Sequence, residues 1–170
     1  MYFRGHVGLT LLTLSLLAYL FDFEGLRYVI MIIIASALSS LPDIDIRLEI
    51  PHRKYAHNII FALIISLGTG YLTFKLFNDF SLGFTPMFAA FTMHIIGDLM
   101  TYRPFKPLAP FQRRATAFKL FRSSNPIINN GLLILGIIAF INYVSYTLIG
   151  LNLFEITNRL VSFIMYLLGH

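Results

Sequence analysis

The chain is a succession of apolar runs separated by short polar links. Four runs, Val7 to Phe21, Tyr28 to Leu41, Ile59 to Phe77 and Phe84 to Met100, approach the roughly 20 residues that carry a helix across a bilayer. A fifth extends from Ile127 to Ile149 and a shorter sixth from Ile156 to Leu168. This pattern predicts an all-α integral membrane bundle of about five to six spans. The first, second and sixth runs are short for crossing alone, so their ends are expected to pack against neighbours or meet headgroups. Arg4 ahead of the first run gives it some likeness to a signal peptide. No small-residue cleavage site precedes Asp22 and Glu24, however, and a retained first span is expected.

Composition agrees with the pattern. Apolar residues make up 57% and charged residues 12%, and the mean hydropathy is +0.75, outside the range of ordinary soluble domains. The 170 residues are expected to form one domain, with the chemistry-bearing groups in about residues 1–125 and further apolar helices over 127–170. The absence of cysteine excludes disulfides and thiolate ligands, so any metal must be held by nitrogen and oxygen.

The net charge of +5 acquires meaning once the charges are assigned to sides. If the spans alternate, one side collects Arg4, Arg47, Arg53, Lys54, Arg103, Lys106, Arg113, Arg114, Lys119 and Arg122. The other holds only Arg27, Lys75 and Arg159. The positive-inside rule then puts the N-terminus and the basic side in the cytoplasm. Between Phe111 and Phe121, Arg113, Arg114 and Lys119 alternate with Phe118 and Leu120. That mixture resembles an interfacial amphipathic segment facing membrane lipids.

The same alternation gathers the imidazoles and a set of carboxylates. His6 enters the first span, Asp43 and Asp45 leave the second, His52 and His57 lead into the third, and His94 and Asp98 lie in the last turns of the fourth. All seven reach the basic face. Ionisable groups beside hydrocarbon are costly unless compensated, and a divalent cation is an economical partner for so many acceptors.

Each cluster is ambiguous by itself. His94 and Asp98, four apart on a helix, share a face and could reach one ion, or could simply hydrogen-bond to each other. Asp43 and Asp45 could send one or both carboxylates to a common centre, or could end the second span in water beside Arg47. His57 suits a ligand, and His52 a second ligand or a proton shuttle. Arg53 offers paired donors to a phosphate oxyanion. The alternative for this stretch is a basic segment touching lipid headgroups. His6 alone would read as a packing histidine, and Thr101 as either a partner of a ligand or a helix-end hydroxyl. His170 receives no role.

Taken together, His6 before the first span, Leu41-Pro42-Asp43-Ile44-Asp45 after the second, His52-Arg53 and His57 before the third, and His94, Asp98 and Thr101 followed by Pro107 to Phe111 resemble the YdjM-like membrane-bound metal-dependent hydrolases. The likeness covers roughly residues 1–125. Members of that family are described as hydrolases associated with the inner membrane, some as binders of the LexA repressor. Their ligand layout looks like that of zinc-dependent phospholipase C and single-strand nucleases. The resemblance therefore implies phosphoester hydrolysis. Two departures stand out: Lys54 follows Arg53 where the family usually has glycine, and Ala56 and Asn58 flank His57 in place of Thr and Ser. Tyr102, Arg103 and Pro104 also stand where a glycine is usual. The candidate ligands survive these changes, which bear instead on the substrate-facing contacts that the resemblance implies.

The expectation is therefore a metal-dependent hydrolase with its centre at the cytoplasmic end of a membrane bundle. Asp45, His57, His94 and Asp98 are expected as core ligands, with His6 and Asp43 completing the set. His52 is the candidate acid/base and Arg53 the candidate phosphate clamp. Zinc leads as the cation, with manganese or iron as alternatives, and seven candidate groups leave room for one or two ions. A phospholipid or other amphiphilic phosphoester is the expected substrate, and nucleic acid is not indicated. The rival expectation is a non-enzymatic, metal-stapled scaffold that recruits a cytoplasmic protein.

Overall fold

A computed structural model describes residues 1–44, 56–151 and 153–168. Its described elements are helical throughout: α1 (Phe3–Leu20), α2 (Leu26–Leu38), a 3-10 turn (Leu41–Asp43), α3 (Ile59–Phe77), α4 (Phe80–Leu99), α5 (Pro126–Ile149) and α6 (Leu153–Leu168). Five segments are long and apolar enough to cross a membrane: Phe3–Leu20, Leu26–Asp43, Ile59–Phe77, Phe80–Leu99 and Pro126–Ile149. The sixth apolar run becomes α6, whose 16 residues extend only about 24 Å at 1.5 Å per residue, short of a hydrocarbon core of about 30 Å.

Polar residues set the helix limits. The Asn58 side chain accepts from Ile60 N at 2.8 Å, that of Asp79 from Leu82 N at 3.2 Å, and that of Asn125 from the amides of Ile127 and Ile128. These are N-caps, the last placed just before Pro126 at the first helical position. Asn78 at the end of α3 and Gly150 at the end of α5 both adopt the left-handed conformation that stops a helix.

The cross-section is polar inside and apolar outside. Leu20, Ile33, Ile64, Leu72, Leu76, Ile134 and Ile138 are exposed, whereas His6, Thr10, Ser15, Ser36, Ser66, His94, Asn129 and Asn142 are buried. Water would make that arrangement unstable; hydrocarbon accepts it, because lipid solvates the leucines and isoleucines while the bundle shields the polar groups.

Close helix approach rests on small residues. α1 and α5 run parallel and meet where Gly8 lies against the backbone of Leu132 and Leu133, and Gly136 lies against the backbone of Gly8. Farther along, Ala18 packs with Tyr143, whose hydroxyl donates to Phe23 O at 2.6 Å. α3 and α4 form an antiparallel hairpin through Gly83, which faces the Thr69 carbonyl, and Gly70, which faces Phe80 and Phe84. α2 packs against both α1 and α4 and so joins the two pairs.

The proline-rich link between α4 and α5 differs from a regular amphipathic segment. It is an irregular cap held by bridges between Thr101 and Phe121 and between Phe105 and Thr116. Three prolines within seven residues (Pro104, Pro107, Pro110) deny it repeated backbone donors. Phe105 and Phe121 turn inward and are buried, while Tyr102, Phe111, Phe118 and Leu120 stay exposed among the basic residues. The amides of Phe118 and Leu120 donate to Leu99 O (2.7 Å) and Met100 O (2.9 Å), satisfying carbonyls at the end of α4. Ile59 N donates to Pro107 O at 2.9 Å and Asn58 Nδ2 to Ala109 O at 2.7 Å, so the cap also holds the start of α3.

The glycine contacts generate a paired prediction. A side chain in Gly136→Val meets the Gly8 backbone, 3.1 Å from its Cα, which cannot retreat without separating α1 from α5. A loss of about 1–3 kcal/mol is expected on unfolding in detergent. Gly131→Ala, on the same helix with nothing within 4 Å, is expected to be neutral or up to about 1 kcal/mol stabilising through helix propensity. Equal destabilisation by the two variants would contradict this packing.

Candidate metal centre

The ends of α2, α4 and the segment before α3 converge on one point. α4 contributes His94 and Asp98, one turn apart on the face turned into the bundle, both essentially inaccessible. Pro42 at the start of the 3-10 turn bends the chain so that Asp43 faces α4. His57, in the turn capped by Asn58, completes the group.

The geometry is tight. His94 Nε2 and His57 Nε2 are 2.9 Å apart, and Asp43 Oδ1 lies 3.4 Å from each. Asp98 Oδ2 is 3.5 Å from His57 Nε2 and 4.0 Å from His94 Nε2. One ligand atom from each of the four residues falls within 4.8 Å of all the others. Four atoms placed tetrahedrally at about 2.0–2.2 Å from one cation stand about 3.3–3.6 Å from one another. The observed separations scatter around that edge length.

Protonation is fixed from behind. His94 Nδ1 lies 2.8 Å from the Ser39 carbonyl, which can only accept, so the neutral ring carries its proton there and turns the Nε2 lone pair toward the other three groups. His57 lies outside the spans, and burial pushes its pKa below the ordinary histidine range, with Asp43 only partly opposing the shift. Its ring is flanked edge-on by Phe105 of the cap, 6.0 Å between centroids.

The other predicted residues fall as follows. His6 sits beside the centre, fully buried and stacked on His94 at 3.9 Å between centroids, with Nε2 3.5 Å from Asp98 Oδ1. Among the described residues, neither of its ring nitrogens makes a regular hydrogen bond. Thr101 Oγ1 donates to Asp98 O at 2.8 Å, the helix-end alternative. Asp45, His52 and Arg53 lie outside the described residues. Three features were not anticipated: the Ser39 carbonyl, the Met1 α-ammonium donating to Asp98 Oδ1, and the capping role of Asn58. Only the last had a readable signal, an asparagine directly before an apolar run. Gly97 makes room for the first of these helices, because a Cβ there would stand 3.1 Å from His6 Nδ1 and 2.9 Å from Met1 Cε.

These residues fit a divalent cation. The donor set is two imidazoles and two carboxylates, and one imidazole is already oriented by a carbonyl. Asp43 is the partly buried member, 27% accessible. It opens on a cavity of about 360 Å³ lined by Phe3, Ala37, Leu38, Ser40, Leu41 and Ile44.

Fold and site together define a multi-pass membrane helical bundle with a buried His/Asp group suited to a divalent metal. The chain belongs to the YdjM inner membrane protein family, which it matches over residues 1–168. Comparison with curated proteins and with solved structures gives no significant match.

The burial of His57 predicts a pH dependence. With its folded-state pKa below the unfolded value of about 6.5, the unfolded chain takes up the proton first as pH falls. Stability of the chelator-treated protein should therefore be flat above about pH 7 and decline as pH drops through about 6.5 toward the folded value. His57→Gln should flatten that part of a thermal-unfolding profile recorded against pH.

Proposed function

We propose that this protein is a membrane-integral, metal-dependent hydrolase acting on a phosphoester carried by a phospholipid or similar amphiphile. The observation that carries the reading is the convergence of Asp43, His57, His94 and Asp98 from three separate parts of the chain, with Asp43 lining a cavity. Zinc is the cation the donor set favours, with manganese or iron next. His6 and Asp45 are the further candidates for a second ion.

When bound, a divalent cation supplies Lewis acidity toward a phosphoryl oxygen and toward water. The chain does the rest. His94, with its proton held at Nδ1 by Ser39 O, offers only a lone pair to the centre. Burial keeps His57 neutral and able to do the same. Asp98 stays shielded from solvent, while Asp43 stands between the centre and the lipid-side cavity. Apolar walls from Phe3, Leu38, Leu41 and Ile44 suit an acyl chain better than a free nucleotide. His52 as acid/base and Arg53 as phosphate clamp belong to this proposal. So does the cytoplasmic position of the centre, which rests on the basic residues that share its end of the bundle.

A second reading has one observation in its favour. Four protein donors can close a tetrahedral sphere by themselves, as structural zinc sites do, and a stapled scaffold for a cytoplasmic protein would need no open position.

Elemental analysis of the detergent-purified protein, paired with chromogenic phosphodiester and phosphomonoester assays, tests both. About one equivalent of metal and chelator-sensitive turnover are expected. Asp98→Asn should lower metal content about tenfold or more and remove activity while the protein remains membrane-inserted. Full metal content in that variant would refute the ligand assignment. Full metal with no turnover on either ester would favour the scaffold.

A further inference from the structure

The sixth helix carries a pattern that the spans lack. Asn158, Arg159, Ser162 and Tyr166 recur at three- and four-residue steps, and at 100° per residue they share one arc of about 100°. Ile156, Val161, Phe163, Ile164 and Met165 occupy the rest of the circumference, each exposed by 40% or more. Thr157 is the polar residue on the apolar side, and a threonine hydroxyl in a helix can bond the carbonyl one turn back.

α6 begins at the level of the membrane surface. Tyr146, in the last turn of α5, donates to Glu24 Oε1 at 3.2 Å, and Asp22 lies beside the same hydroxyl. Two exposed carboxylates mark that level as headgroup rather than hydrocarbon. Gly150 then ends α5 in the left-handed conformation, and the amides of Gly150 and Leu151 donate back to Tyr146 O and Ser145 O. The chain is therefore held at the end of the span when α6 starts at Leu153.

From that point an upright helix would carry Arg159 into hydrocarbon and still fall short of the far side. Packing on the bundle does not cover the apolar face, because the main contact of α6 is with α5 and the five apolar side chains stay exposed. Projection into water would leave them as one contiguous apolar surface. The bilayer interface satisfies both faces at once, and exposed Leu148, Ile149 and Leu151 bring the lipid-facing surface of α5 up to the start of α6.

We propose that α6 docks on the lipid surface at the end of the bundle opposite the His/Asp centre, with its axis in the membrane plane. Ile156, Val161, Phe163, Ile164 and Met165 rest on acyl chains, and Asn158, Arg159, Ser162 and Tyr166 meet headgroups and water. A wide apolar face with a narrow polar stripe suits burial of about 5–10 Å. This docking is independent of whether the centre turns over an ester.

The sequence contains no tryptophan, so a single introduced one reports its own depth. Ile156→Trp and Phe163→Trp stand two turns apart on one face of α6. The full chain carrying either is reconstituted in phosphatidylcholine vesicles brominated near the carbonyl end or near the methyl end of the acyl chains. Both tryptophans should be quenched more by the shallow bromines, at equal depths, whereas an upright helix would separate them by about 10 Å. Ile138→Trp in α5 is the reference for a span and should favour the deep bromines. Ser162→Trp should be quenched by aqueous iodide more strongly than Phe163→Trp. Depths that differ by the upright value, tryptophans at 156 and 163 untouched by either bromine because water or a second copy covers that face, or equal iodide quenching at 162 and 163 would each overturn the proposal.

Discussion

Two carboxylates and two imidazoles facing one another inside a membrane bundle form the constraint on which the rest of this fold depends. Removing a carboxylate from water costs several kcal/mol even after relaxation, and Asp98 is almost wholly removed. Its charge is tolerable only because cationic or proton-donating groups converge on it from α1, the turn before α3 and α4 itself. The helix ends are correspondingly well fastened. Ser39 O takes the back of His94, the α4–α5 cap takes the last carbonyls of α4, and the same cap grips the first amide of α3. A cation at the centre would complete a charge balance that the surrounding backbone already holds in place.

That convergence relies on how closely the helices approach. Gly8 and Gly136 let α1 lie on α5 backbone to backbone, and Gly97 lets His6 pass across α4 to reach Asp98. With leucine or valine at these positions the helices would separate by several ångströms, and the imidazole of His6 would no longer stack on His94. Small residues inside and large aliphatic ones outside are thus two sides of one requirement. Lipid gives no hydrophobic drive for helices to associate, so packing of small side chains and buried hydrogen bonds must supply it.

Much of this was legible in the sequence. Run lengths gave about five to six spans, of which five are long and apolar enough to cross, and alternation placed His6, Asp43, His57, His94 and Asp98 at one end, where the structure has them. Periodicity could pair His94 with Asp98, because an i, i+4 relation is local. What the sequence left open was tertiary. The tautomer of His94 depends on a carbonyl 55 residues away, and no side-chain identity encodes it. The basic, aromatic link after α4 resembled an amphipathic interfacial segment, but its prolines and its bonds to Leu99, Met100 and Ala109 make it a cap. The sixth apolar run had span-like composition and lacked span length, and only its separation from the other helices, with contacts chiefly to α5, identifies it as an appended helix.

The two ends of the bundle solve the same problem differently. At the His/Asp end the ionisable groups are buried, and their charges are balanced within a few ångströms by nitrogen and oxygen atoms from distant parts of the chain. At the far end Arg27 and Asp79 remain at the surface, each balancing the other in a pair that is still reachable from outside. A buried set of acceptors suits a small ion that sheds its water, whereas the pair at the far end is satisfied by its own neighbours, Ser81 and the Leu82 amide. Close packing of α1, α2 and α4 ties the two ends together.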